Sequence, residues 1–74
     1  MKKYIIDIIE SGRLVVLNFG KEDSQAYDTL IDKRDGDENL IELGKKAYNT
    51  SYLINLNHVR YVKPKEISKR FNGF

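Results

Sequence analysis

Apolar residues fall in short runs along the chain, and the spacing inside each run assigns it an element. Residues 3–10, Lys-Tyr-Ile-Ile-Asp-Ile-Ile-Glu, are rich in β-branched side chains. Read as a strand, they place Tyr4, Ile6 and Ile8 on one face, with Ile5, Asp7 and Ile9 on the other. Ser11-Gly12 follows as a turn pair, because glycine tolerates positive φ and serine bonds local backbone. Residues 13–19, Arg-Leu-Val-Val-Leu-Asn-Phe, give a second strand and complete a predicted N-terminal β-hairpin. Gly20 ends it. Glu22, Asp23 and Ser24 then place acids and a capping hydroxyl where a helix would start. Ala26, Tyr27, Leu30 and Ile31 form an apolar stripe at helical spacing. Lys33 and Arg34 suit the negative end of a helix macrodipole and Gly36 its cap, so the pattern predicts a helix over 24–34.

Beyond that helix the pattern returns to alternation. Residues 39–43 read as a strand and residues 44–46 as a turn. Ala47-Tyr48 and Tyr52-Leu53-Ile54 begin further short extended pieces. Asn55-Leu56-Asn57-His58 is turn-like, since Asn favours caps and left-handed positions. Val59-Arg60-Tyr61-Val62 alternates as a last strand, stopped by Pro64. The expected fold is therefore α+β: an antiparallel sheet of four to five strands with one short helix packed on one face. Residues 1–64 form the single domain. Residues 65–74 form a basic C-terminal tail that frays, unless Phe71 and Phe74 dock. Apolar side chains on both faces of the N-terminal strands leave one sheet face for a partner, a second copy included.

Composition narrows the class without naming a function. The chain has 74 residues, 41% of them hydrophobic and 32% charged, and no cysteine. It is long enough for one core of modest stability, and it offers neither a disulfide nor a thiolate metal site. Asp7 and Glu10 interrupt the first apolar run, so neither a signal peptide nor a membrane span fits, and a cytoplasmic protein is expected. Net charge is +2, unevenly spread. Residues 1–43 carry six Lys/Arg against ten Asp/Glu, and residues 44–74 carry seven against one. Such polarity arises by chance in so short a chain or marks two opposed faces, one suited to a basic partner and one to phosphates.

Residues able to do chemistry are few. His58 is the single histidine, with no second histidine or cysteine to complete a metal site or triad, and it reads as structural or exposed. Asp32, Asp35, Asp37 and Glu38 surround Gly36 densely enough to suggest Ca²⁺ or Mg²⁺. Lys33 and Arg34 break the ligand spacing of a calcium loop, however, and the cluster reads as a solvated helix end. No glycine-rich phosphate loop or nucleophile elbow is present, so neither an enzymatic activity nor a cofactor is expected. In the basic half, Lys45, Lys46, Arg60, Lys63, Lys65, Lys69 and Arg70 interleave with Tyr48, Tyr52 and Tyr61. Cations that neutralise phosphate beside aromatics that stack on bases are the make-up of a nucleic-acid contact. The net charge is far below that of a committed nucleic-acid binder, however, so solubilising lysines, with Tyr52 and Tyr61 in the core or on the sheet surface, are the favoured reading.

One segment carries a family resemblance. Ser51-Tyr-Leu-Ile-Asn-Leu-Asn-His-Val-Arg-Tyr-Val62 resembles part of LytTR-type DNA-binding domains, through Ser51, Tyr52, Asn55, Leu56 and Val59, over about a sixth of the chain. That family's preceding Arg-x-His-Arg is here Ala47-Tyr48-Asn49-Thr50, so its DNA contacts are not carried over to Lys45, Lys46 or Arg60. As a whole the chain resembles small accessory proteins of Gram-positive phages and mobile elements. The shared look is a hairpin, an acidic-start helix and a closing Ile-Asn-Leu-x-x-Val, here Ile54 to Val59. That resemblance implies a non-enzymatic binding module that occupies a protein partner's surface, some such proteins blocking host defence machinery. Asp32, Asp35, Asp37 and Glu38 are then the expected polar contacts. The alternatives are a nucleic-acid-binding module using Lys45, Lys46, Tyr48, Arg60, Lys63 and Lys65, and a self-associating structural protein.

Overall fold

Residues 2–10 are helical. In a computed structural model that describes residues 1–66, Lys2–Glu10 form an α-helix (α1), not the first strand of a hairpin. The run Ile5-Ile6-Asp7-Ile8-Ile9 serves either period, and tertiary burial decides. Ile5 and Ile8 lie three apart on one helical face and are fully buried, with Ile6 and Ile9 packed at the margins of the same stripe. Nothing local announces this helix. Met1 supplies no side-chain cap, the first turn has no acid and the last turn no base. Ser11-Gly12 closes it. The Gly12 N–H donates to the Ile9 carbonyl at 3.0 Å with φ at +84°, and the Ser11 hydroxyl donates to the Ile8 carbonyl at 2.7 Å. The pair expected to turn a hairpin is a helix C-cap.

Among the described residues six strands follow: β1 (Leu14–Asn18), β2 (Ser24–Tyr27), β3 (Thr29–Asp32), β4 (Leu40–Lys45), β5 (Thr50–Asn55) and β6 (Tyr61–Lys65). They form two three-stranded antiparallel sheets, ordered β2-β1-β6 and β3-β4-β5. This overturns the single sheet of four to five strands and the helix over 24–34. Residues 24–32 are extended and pass from one sheet to the other through Asp28, the kind of bent strand that makes a corner between packed sheets. The bend also hides the strand period. Tyr27 and Leu30 both point into the core although they are three residues apart, a spacing that mimics a helix.

The core lies between the inner faces of the two sheets. Val15, Leu17, Ile41 and Leu43 are fully buried, joined by Tyr27, Ile54, Leu56 and Val59. Helix α1 packs against β1 and β3 and contributes Ile5 and Ile8 to the same cluster. Each such side chain stabilises the fold by roughly 1.5–3 kcal/mol through removal from water. Asn18 is the one buried polar side chain among the described residues, and all its groups are used. Its amide donates to the Lys21 carbonyl and the Ser24 hydroxyl and accepts from the Gly20 N–H, which shapes the loop between β1 and β2.

Other expectations fall into place around this frame. Pro64 does not stop the last strand. It lies inside β6, which pairs only with β1, and an edge strand tolerates proline. Gly44 and Lys45 belong to β4 rather than to a turn, and Lys46–Tyr48 is one turn of 3-10 helix. Asn55 does cap a turn: its side chain accepts from the Asn57 N–H at 2.9 Å. Lys65 is the last residue of β6, and the predicted tail residues 67–74, with Lys69, Arg70, Phe71 and Phe74, lie outside the described residues. Among the described residues no helix is long and apolar enough to cross a membrane.

Candidate functional site

An open groove of about 880 Å³ lies between α1 and the connection from β3 to β4. Helix α1 contributes Lys2, Lys3, Ile6, Asp7 and Glu10. The facing wall is Lys33, Asp35, Glu38 and Asn39, and Leu56 and Asn57 line it as the chain leaves β5. Ile6 and Leu56 are its apolar side chains near the core.

The wall is built by side-chain-to-backbone bonds. Asp32 accepts from the Arg34 N–H at 2.8 Å, and Asp37 accepts from the Asn39 N–H at 2.9 Å. Between them the Asp37 N–H donates to the Arg34 carbonyl at 2.9 Å, with Arg34 at a left-handed φ of 54°. These Asx-type bonds fold the chain back on itself. Of the four acids expected to contact a partner, Asp32 and Asp37 are thus engaged in shaping the turn. Asp35 and Glu38 line the groove and form no ion pair among the described residues.

Lys2 is a feature that sequence reasoning missed. Its ammonium donates to three backbone carbonyls of that turn, Lys33 at 2.6 Å, Arg34 at 3.0 Å and Asp37 at 2.7 Å. Three donors meet three acceptors across the groove's end, tying the first turn of α1 to the acidic wall. No local signal marks such a contact, because its acceptors are main-chain atoms more than thirty residues away. Replacing Lys2 with methionine keeps the apolar stem and removes the tie. A loss of about 1 kcal/mol is expected, at the low end for charged hydrogen bonds because the site is exposed, which lowers Tm by roughly 4–8 °C. Amide exchange at 34–39 should quicken while that in β1 stays slow. Uniform acceleration through the whole chain would show the tie to be unimportant to the wall.

The basic set is not brought together. Lys45 sits at the far end of β4 from the groove, with its ammonium 5.6 Å from the centre of the Tyr27 ring and 5.8 Å from that of Tyr52. It also reaches Gln25 Oε1 at 3.4 Å, and the two rings meet edge-on at 5.5 Å. This ammonium is held over the chain's own aromatics rather than offered to phosphate. Burial, then the neighbouring Tyr52 and Asp23, push the Tyr27 phenol above its ordinary value. Lys46 meets the corner of the fold, where its backbone N–H donates to Asp28 Oδ1 at 2.9 Å and the Thr29 hydroxyl donates to the same oxygen at 2.8 Å. Partial burial works to raise the Asp28 carboxyl, but those two bonds and the Lys46 charge outweigh it and hold it below the usual carboxylate range. Tyr48 is exposed on the turn before β5. Arg60, Lys63 and Lys65 are exposed on the other sheet, where Tyr61, Lys63 and Lys65 alternate along one face of β6.

His58 is exposed, and among the described residues no group of three or more His, Asp or Glu side chains is placed to hold a metal ion. Comparison of the chain with protein-family models, with curated proteins and with solved structures gave no match.

Proposed function

We propose that this chain is a small non-enzymatic binding module that receives a segment of a partner protein in the groove between α1 and the β3–β4 connection. The reading rests on one observation. Asp35 and Glu38 from the turn converge with Asp7 and Glu10 from α1 around Ile6 and Leu56. Lys3 partly answers Asp7 at 3.5 Å, an exposed pair worth little, and the Lys2 ammonium is taken up by carbonyls. Glu10, Asp35 and Glu38 remain as acceptors without an ion-pair partner among the described residues, and so does the Lys33 ammonium on the same wall, leaving three acids against one cation. A partner segment offering a cationic side chain beside an apolar one matches this lining, and its docking occupies that partner's surface against other ligands.

A photo-crosslinking residue placed at Glu38 should capture a protein from the native cellular lysate, whereas one at Lys63 should not. Joint reversal of Asp35 and Glu38 to lysine should weaken binding of the captured protein at least about tenfold, the scale of 1.4 kcal/mol, and moderate salt should weaken the parent complex. Unchanged affinity after the reversal sinks the reading. Retention of an oligonucleotide at low salt, abolished by Lys63→Glu with Lys65→Glu, would move the function to β6 and to nucleic acid.

A further inference from the structure

We propose that β5 is a self-pairing edge, and that two copies of this chain join β5 to β5 antiparallel across a two-fold axis at Leu53. Each sheet has two outer strands, so the described residues present four edges. Three are blunted by recognised devices. Strand β2 has four residues and starts beside Glu22 and Asp23. Strand β3 also has four, with a register shift between Leu30 and Asp32. Strand β6 carries Lys63, Pro64 and Lys65. Strand β5 has none of these. It runs Thr-Ser-Tyr-Leu-Ile-Asn in unbroken register with β4, with no charge and no proline, and among the described residues no strand lies on its other side.

The same lack of charge selects the occupant. Paired with itself, β5 sets no like charges opposite one another. Glu42, the nearest acid on β4, lies three strand spacings, about 14 Å, from its copy, beyond the screening length in physiological salt, and Arg34 already pairs with it at 3.2 Å. A two-fold axis normal to the sheet keeps inner and outer faces distinct, so it must pass through a residue rather than between residues. Near the middle of β5 that leaves Tyr52 or Leu53. An axis at Leu53 sets Leu53 against its own copy, Tyr52 against Ile54, and Ser51 against Asn55. An axis at Tyr52 leaves Leu53 facing Ser51. Leu53 is 55% exposed and Tyr52 41%, so the axis at Leu53 covers the side chain with more apolar surface to lose. Ile31, 48% exposed and lying over Gly44 on the same outer face, extends the apolar strip toward β3. Residues of β5 line no part of the groove, so this pairing and the partner reading stand or fall separately.

Sedimentation equilibrium across a wide concentration range tests it. The mass should rise from that of one chain to that of two. Leu53→Lys should remain monomeric at every concentration while keeping the parent circular dichroism spectrum, since its side chain is exposed. The chain has no cysteine, so the Leu53→Cys variant gives a clean second readout: oxidation should yield a covalent dimer, and Glu22→Cys should not. A parent chain that stays monomeric at the highest concentration reached overturns the proposal. A dimer that survives Leu53→Lys, with no crosslink in the Leu53→Cys chain, overturns it equally.

Discussion

Ile8→Ala should lower the stability of the chain by about 2–5 kcal/mol, although alanine is the better helix former. Two effects of opposite sign meet at this position. Exchanging a β-branched residue for alanine favours a helix by less than about 0.7 kcal/mol. Emptying a fully buried site removes the transfer free energy of three carbons and leaves a cavity between α1, β1 and β3. The second effect is several times the first. Its dominance matters because α1 has little else to hold it. Its nine residues fall short of the length at which isolated helices persist in water, its ends lack complementary charge, and Lys2 and Lys3 stand at the positive end of the macrodipole. Urea unfolding should show the midpoint falling with little change in slope. Tyr4→Ala, on the exposed side of the same helix, should change stability by no more than about 0.5 kcal/mol. A neutral or stabilising result for Ile8→Ala would mean that helix propensity, not burial, sets this segment.

The same competition explains which parts of the fold were legible. Strands β1 and β4 are visible in the chain as apolar runs of strand length. Strand β6 is visible only in part, since the expected strand at 59–62 overlaps Tyr61–Lys65 by two residues and Pro64 does not stop it. The capped turn at Asn55 is visible because Asn carries its own acceptor. Two segments were misread for one reason. A short apolar run fits both periods, and the tie is broken by non-local burial that no window contains. In α1 the spacing Ile5, Ile8, Ile9 is as helical as it is extended. In residues 24–32 a corner at Asp28 resets the alternation, so Tyr27 and Leu30 face inward together. Helix-start and helix-end signals on both sides of that segment then supported the wrong element. Of the acids around Gly36, the sequence marks the cluster but not its division of labour. Asp32 and Asp37 are taken by backbone N–H groups two residues ahead, while Asp35 and Glu38 are left for the groove. Lys45 read as a free cation and is instead seated on Tyr27 and Tyr52, because a strand far away in sequence brings Tyr27 beside it.

Gly44→Ala should cost about 3 kcal/mol, the upper end of the usual range for overpacking. A strand glycine normally gains from substitution by alanine, by about 0.4–1 kcal/mol, since the unfolded chain loses more freedom than the folded one. Gly44 is denied that gain by its neighbours. A β-carbon there would lie 2.5 Å from the Thr50 carbonyl oxygen and 3.2 Å from Ile31 Cδ1. Ile31 can turn aside. The Thr50 carbonyl belongs to the backbone of β5, opposite the end of β4, and cannot move without shifting that hairpin. Gly44 also pairs with Thr29, and its carbonyl accepts from the Asp28 N–H at 3.2 Å, so the crowded position lies where the chain crosses from one sheet to the other. Gly36 supplies the contrast: nothing lies within 4 Å of a β-carbon built there, and its φ is not positive. Gly36→Ala should therefore be neutral or stabilising by up to about 1 kcal/mol. Opposite signs for the two glycines in parallel urea titrations would show that close passage of backbone at the corner, rather than glycine's flexibility, fixes residue 44. Equal signs would show that the β5 backbone at Thr50 does not approach Gly44 as closely as this packing requires.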